Sequence, residues 1–225
     1  MRLDALLFEE GIFPSRSKAN QAIIEGRVLY DGKTIKPSFN IENLDKITVV
    51  KDQFVSNGGQ KLKKAIDDFK LDVSGMVFAD IGASNGGFTD CLLKSGANKV
   101  FAIDVGESQL DNSLLESKNV VVLDNTNARY LTEDILGEKV DGVTSDVSFI
   151  SLTLILDGII NVLKEEGIAL LLIKPQFECG KEFLNKNGIV KNEKARINAI
   201  KKVYNACFER KLYGVNLATA PIKDG

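Results

Sequence analysis

The sequence predicts an α/β fold in which a mostly parallel sheet is preceded by a small separate module. Apolar runs of strand length alternate with amphipathic helical segments from Met76 onward, and such alternation is typical of a parallel sheet covered on both faces. A different order, two helices and then short strands, occupies the first fifty residues. The length of 225 residues accommodates one full α/β domain plus a small one.

The small module is predicted to span residues 1–51. Apolar residues with helical spacing between Leu3 and Ile12 predict a first helix. Ser15 is suited to cap a second helix, which is expected to end at Gly26. The turn Asp31-Gly32 then separates short apolar segments, a pattern typical of a hairpin.

A linker is predicted at 52–57, and the α/β domain at 58–225. Within that domain the apolar pattern and the breaks at glycine and charged residues define the elements. Strands are predicted near 77–80, 99–103, 119–123, 140–145, 167–173 and 213–219, and helices near 60–69, 87–95, 107–116, 132–136, 152–163 and 193–210.

Composition excludes several classes of protein. The net charge of −2 argues against an extensively basic nucleic-acid-binding surface but leaves room for a local basic face. The sequence contains no histidine, which removes the commonest general base and most zinc sites, and no metal site is predicted. Three widely spaced cysteines indicate free thiols in a reducing compartment. Apolar stretches stay far below the roughly 20 residues of a membrane helix.

A glycine-rich turn between Asp80 and Thr89 is the most informative segment. The turn follows an apolar run and precedes an amphipathic one, so it joins a strand to a helix. Its pattern, Gly82-x-x-x-Gly86-Gly87, lacks the spacing of dinucleotide-binding and Walker motifs. Asp104 ends the next apolar run, where an acid can accept the hydroxyls of a ribose. A nucleoside-like cofactor such as S-adenosylmethionine is favoured over the alternative, a purely structural turn.

Two charged residues follow later strands of the predicted sheet. Asp146 comes directly after 140–145, and Lys174 follows the apolar run at 167–173. Ligands bind outside the carboxyl ends of such strands, so we expect these side chains to face one another across the cleft. One interpretation is a structural ion pair. The other is a base held beside a sulfonium, because nearby positive charge and partial burial favour the neutral amine.

The chain resembles the hemolysin A (TlyA) family, which comprises ribosomal RNA 2′-O-methyltransferases of the cell-division methylase (FtsJ-like) type. The resemblance runs from residue 1 to residue 225. Its first fifty residues are similar to the α-L RNA-binding domain first seen in a small-subunit ribosomal protein. The segments that carry the resemblance are 15–19, 24–28 and 31–32 in the module, and 56–62, 80–89, 102–106, 126–129, 145–152 and 174–180 in the larger domain.

The resemblance implies a Rossmann-like class I S-adenosylmethionine-dependent methyltransferase sheet and a Lys-Asp-Lys-Glu catalytic set. Matching the motifs assigns the first three roles to Lys61, Asp146 and Lys174, with Lys174 as the base. The family glutamate lies on a final strand beyond the segment that ends at Gly225, so the last strand is expected to be missing. Asn57 stands where the family linker usually has arginine.

Further site residues are expected on the same basis. Cofactor-binding residues should follow the first three strands of the sheet: Gly82, Ala83, Ser84, Gly86, Gly87, Phe88, Asp104, Val105, and Asp124 or Asn127, which are alternatives for the adenine contact. RNA-binding residues should be basic, although ordinary solvated charge is the alternative: Arg2, Arg16, Lys18, Arg27, Lys63 and Lys64.

The expected partner is ribosomal RNA or a ribosomal subunit, with a cytoplasmic location and no stable membrane insertion. Two other functions stay open at this point. One is a membrane-acting cytolysin, as the family name suggests. The other is a non-catalytic RNA-binding protein with a methylase fold.

Overall fold

The computed structural model describes residues 1–24, 26–50, 53–107 and 109–221. Two compact units emerge, Met1–Gln53 and Phe54–Gly225. The second unit starts inside the predicted linker because Phe54 is buried in its core, and because the Val55 N–H donates to the Asp90 carboxylate at 2.9 Å. The predicted boundary at 51/52 lies outside the described residues.

The first unit packs two helices on a three-stranded antiparallel sheet, ordered β2-β1-β3. The turn between β1 and β2 has positive φ at both Asp31 (51°) and Gly32 (75°), the conformation that two-residue hairpins prefer. Leu3, Leu7 and Ile23 fill its core. Its elements are α1 (Leu3–Glu9), α2 (Arg16–Ile24), β1 (Val28–Tyr30), β2 (Lys33–Thr34) and β3 (Ile47–Val49).

The second unit contains a five-stranded parallel sheet with the order β6-β5-β4-β7-β8, so β4 lies at the centre. No helix within the described ranges is long and apolar enough to cross a membrane. The elements are α3 (Gly58–Phe69), β4 (Val77–Ile81), α4 (Gly87–Lys94), β5 (Lys99–Ile103), α5 (Asn112–Leu115), β6 (Val120–Leu123), α6 (Glu133–Leu136), β7 (Val140–Ser145), α7 (Leu156–Val162), β8 (Leu163–Leu171), α8 (Pro175–Glu178) and α9 (Glu193–Glu209).

Both faces of this sheet are covered, as predicted. Side chains alternate between faces along a strand, so Phe78 packs towards Leu62 and Leu92 of α3 and α4, while neighbouring strand residues pack towards α7 and α9. The Phe78 ring lies directly over Gly142 of β7, where an added Cβ would come within 2.1 Å of it. The fold class predicted from the sequence is therefore confirmed.

Four predicted elements differ in the structure, one of them the strand predicted at 167–173, which spans Leu163–Leu171 as β8. Of the helix predicted at 107–116, in which Ser108 lies outside the described residues, α5 forms: Asp111 has a non-helical backbone (φ −59°, ψ 141°) and caps α5 by accepting from the Ser113 N–H at 3.0 Å. The helix predicted at 152–163 divides into a 3₁₀ turn, Leu152–Leu154, and α7. The prediction of a strand at 213–219 was wrong. Residues 213–220, all of them described, have no regular structure, and Val215 and Leu217 are 86% and 71% exposed.

Candidate active site

The glycine turn after β4 folds tightly against the end of β5. Gly82, Ser84 and Gly86 all have positive φ, at 80°, 48° and 90°. A Cβ at Gly86 would lie 2.2 Å from a methyl of Leu114, so only glycine fits there. Gly86 is therefore required by packing inside the protein, and the part of the turn that is exposed to a ligand is Ser84 and Asn85, just before α4 begins.

Hydrogen bonds to the Asp104 carboxylate connect this turn to the end of β5. One carboxylate oxygen accepts from the Ser84 N–H at 2.8 Å, and the other accepts from the Gly106 N–H at 2.8 Å. A carboxylate has about four acceptor positions, so two bonds leave capacity for the hydroxyls of a ribose. The half-buried Asp104 thus lies where the sequence predicts a ribose-binding acid.

The other predicted cofactor residues divide by exposure. Ala83 and Gly87 are buried within the turn, and Val105 is exposed beyond β5. Phe88 is buried in the apolar core with α3 and α4, so its side chain packs there and only its backbone can face a ligand. After β6, Asp124 is half-buried, whereas the exposed Asn127 uses its side-chain oxygen to cap a 3₁₀ turn through the Arg129 N–H.

Asp80 at the end of β4 is a buried acid that sequence reasoning did not single out. Its two oxygens accept from the hydroxyls of Thr89 at 2.7 Å and Thr144 at 2.9 Å. Burial raises the pKa of Asp80 to about 6, against the lowering effect of those bonds. An acid inside an apolar strand was the signal available in the sequence.

Asp80→Asn should flatten the pH dependence of stability. Because the folded state raises the pKa of Asp80 from 3.8 to about 6, its protonated form stabilises the fold below pH 4, and that contribution is lost as pH rises through 6. We expect the free energy of unfolding of the wild type, relative to the variant, to fall by about 2 kcal/mol between pH 4 and pH 7. Urea titrations at each pH measure this free energy of unfolding. If stability depends on pH in the same way in the wild type and the variant, the raised pKa does not belong to Asp80.

Three charged side chains meet where β7 and β8 end and α3 begins. Lys174 Nζ lies 2.6 Å from Asp146 Oδ1, and Lys61 Nζ lies 3.3 Å from Oδ2. The side chains of Lys61, Lys174 and Asp146 are 8%, 10% and 17% exposed. The shorter contact is an ion pair rather than a well-aligned hydrogen bond. The structure thus brings together all three residues expected to be catalytic.

Glycines allow Lys61 to reach this cluster. A Cβ at Gly87 would lie 2.2 Å from Ser56 Oγ and 3.0 Å from the Gly59 nitrogen, and a Cβ at Gly59 would lie 2.3 Å from Phe54. The start of α3 therefore lies directly on the start of α4. The close approach places Lys61, one turn into α3, beside the strand ends.

Two further residues border the cluster and were missed from the sequence. Lys174 Nζ donates to Ser148 Oγ at 2.8 Å. Phe149 has a φ of 63°, rare for an aromatic residue, and its side chain is 92% exposed, 5.3 Å from the Phe177 ring. Strained backbone of this kind concentrates at functional sites, but only the fold reveals it.

Most of the basic residues expected to bind RNA have acidic partners. Arg2 and Arg16 both donate to the buried carboxylate of Asp4, at 3.0 and 3.2 Å. The bonds from Arg2 hold the pKa of Asp4 well below its ordinary value. Lys63 and Lys64 each pair with an aspartate four residues later in α3.

The remaining two basic candidates lie in the first unit. Lys18 is exposed in the first turn of α2, where its N–H donates to Ser15 Oγ at 3.2 Å, as the predicted cap requires. Arg27 is half-buried just before β1. No group of three or more potential metal-ligating side chains occurs in the described ranges.

Comparisons with known proteins match both units. The FtsJ-like methyltransferase family model matches residues 54–224, and the S4 domain model matches residues 1–46. Hemolysin A of Brachyspira hyodysenteriae is 40% identical over 230 residues, covering 99% of this chain and 94% of that protein. The 16S/23S rRNA (cytidine-2′-O)-methyltransferase TlyA of Mycobacterium tuberculosis is 38% identical over 225 residues, covering 98% and 84%.

A solved structure from Streptococcus thermophilus, provisionally named a hemolysin, has a TM-score of 0.69 and 37% identity, covering 91% of this chain and 76% of that one. Sequence, fold and domain order therefore agree. The chain belongs to the FtsJ-like methyltransferase family and, within it, to the hemolysin A/TlyA group.

Proposed function

We propose that this chain transfers a methyl group from S-adenosylmethionine to a ribose 2′-oxygen of ribosomal RNA. The observation that carries the proposal is the cluster of Lys61, Asp146 and Lys174 beside the glycine turn. The activity in the name of the M. tuberculosis relative supports the same reaction. We place the enzyme in the cytoplasm, where ribosomal RNA is found.

The turn fits the cofactor because Ser84 and Asn85 are exposed within it and Asp104 retains acceptor capacity. When bound, S-adenosylmethionine supplies a methyl group activated by a sulfonium. We assign its ribose to Asp104. Asp124 and Asn127 are the two candidates for the adenine contact, and the Asn127 side-chain oxygen also caps a 3₁₀ turn.

Lys174 is the proposed base that accepts the proton of the ribose 2′-hydroxyl. Two ammonium groups and one carboxylate give the cluster a surplus positive charge, and a cationic donor nearby adds to it. Asp146 orients both amines, and Lys61 remains charged to hold the ribose or its phosphate. Holding these groups in line accounts for much of the rate.

RNA recognition is assigned to the S4 domain and to the exposed ring of Phe149. Single-stranded bases stack on aromatic side chains, each stack contributing roughly 1–3 kcal/mol. Phe149 lies three residues after Asp146, so a base stacked on it would bring its ribose to the cluster. Asp4 holds Arg2 and Arg16 in one place, which orients their remaining N–H groups for phosphate.

The proposal is tested by incubating the full chain with purified ribosomal subunits and methyl-tritiated S-adenosylmethionine. We expect label in ribosomal RNA, in a nucleotide whose 3′ linkage resists alkali because the 2′-oxygen is blocked. Subunit binding without label would instead support a non-catalytic RNA-binding protein. Leakage from lipid vesicles without label would support the cytolysin.

A further inference from the structure

Glu178 is a buried carboxylate that lies outside the cluster of Lys61, Asp146 and Lys174. Its side chain is 1% exposed. It accepts hydrogen bonds from the Ser151 hydroxyl at 2.5 Å, from the Leu152 N–H at 2.7 Å and from Lys202 Nζ at 3.2 Å. A carboxylate this buried is retained only when its oxygens are well bonded.

Its partners connect the two segments that carry the ion pair. Ser151 and Leu152 end the loop that begins at Asp146. Glu178 ends α8, which begins directly after Lys174, with Pro175 at its first position and the Phe177 N–H bonded to the Lys174 carbonyl at 2.9 Å. The Glu178 side chain thus connects the loop after β7 to α8, the helix after β8, by hydrogen bonds.

We propose that Glu178 is a positioning residue that fixes the separation of Asp146 and Lys174. This inference rests on the proposed function. Strands β7 and β8 hold these residues only in part, since β8 ends at Leu171 and the Leu172 N–H bonds to the Ser145 carbonyl at 2.9 Å. Asp146 and Lys174 lie beyond that bond, so their separation of 2.6 Å depends on contacts between the loops.

Lys202 of α9 is the third hydrogen-bond donor to the Glu178 carboxylate. Its Nζ donates to Glu178 Oε2 and also to the Glu178 carbonyl at 3.1 Å. The Glu178–Lys202 ion pair therefore carries no net charge, and it is separate from the cluster of Lys61, Asp146 and Lys174. Because Glu178 is enclosed by these groups, it does not touch substrate, and it is distinct from the family glutamate on the final strand.

The test compares Glu178→Ala with Glu178→Gln in the full chain. Alanine removes the connection, so we expect kcat for ribosomal RNA methylation to fall ten- to a hundredfold, the scale of small misplacements. Calorimetric affinity for S-adenosylmethionine should stay within twofold, because its proposed contacts lie on β4, β5 and β6. Glutamine keeps the Leu152 bond but loses the charge pair, so Tm should fall while most of kcat returns.

Val203→Ala is the matched control, because it truncates a buried side chain of α9 and should lower Tm without changing kcat. Hydrogen exchange over 146–152 should quicken in Glu178→Ala and stay near wild type in Glu178→Gln. A Glu178→Ala enzyme with wild-type kcat, or with unchanged exchange, would overturn the inference. An inactive wild type would overturn the proposed function instead, and the exchange comparison would still decide the role of Glu178.

Discussion

Lys174→Ala should abolish methyl transfer while S-adenosylmethionine still binds. The variant removes the amine proposed to accept the 2′-hydroxyl proton, and general-base catalysis typically contributes 10²- to 10⁴-fold. The turn and Asp104 are untouched, because they lie at the ends of β4 and β5. Single-turnover methylation and calorimetry with the cofactor measure the two effects separately.

One further variant separates the base from its charge, and two others serve as comparisons. Lys174→Arg keeps a cation near Asp146, but a guanidinium does not release its proton in proteins, so it should be equally inactive. Asp104→Ala should show the reverse behaviour, with weakened cofactor binding. Lys164→Ala removes an exposed lysine of β8 that pairs with Asp141, and it should behave as wild type. Turnover near the wild-type rate in Lys174→Ala would remove Lys174 from the mechanism.

Asp146→Asn should cost both activity and stability. The substitution leaves Lys61 and Lys174 close together, mostly buried and without their shared counter-charge. Breaking a buried ion pair by removing one partner costs about 3–5 kcal/mol. Urea denaturation at pH 7 measures the free energy of unfolding.

Asp157→Asn is the control for a lost carboxylate charge. Asp157 pairs with Arg210 but is 70% exposed, and solvent screens such pairs, so stability should stay near wild type. Combining Lys61→Met with Asp146→Asn should recover part of the lost stability, since one cation is then absent. Equal stability of Asp146→Asn and the wild type would show that the cluster carries no buried charge.

The sequence predicted those parts of the fold that local pattern determines. The runs at 99–103 and 140–145 became β5 and β7 with the predicted bounds. β5 is apolar after Lys99, as buried strands of a parallel sheet usually are, whereas β7 also contains Asp141, Thr144 and Ser145. The segment at 107–116 also has helical spacing, but Leu110 and Leu114 pack against the glycine turn. That tertiary contact, together with the cap at Asp111, shortened the helix.

The site was predictable where its residues end strands, and not where distant segments meet. Asp146 and Lys174 follow β7 and β8, so sheet topology alone brings them to one edge. The bonds from Ser151 and Leu152 to Glu178 join residues 26 or 27 positions apart, without any periodic signal. The positive φ of Phe149 likewise depends on how its loop closes.

The amino-terminal ends of the strands, opposite the proposed site, offer a practical use. Proposed chemistry is confined to the carboxyl ends of the strands, whereas the turn at Gly137 precedes β7 and has open space around it, with φ at 79°. Backbone that is exposed and lightly packed tolerates insertion. A fluorescent label or an affinity tag placed there would report on ribosome association without disturbing catalysis.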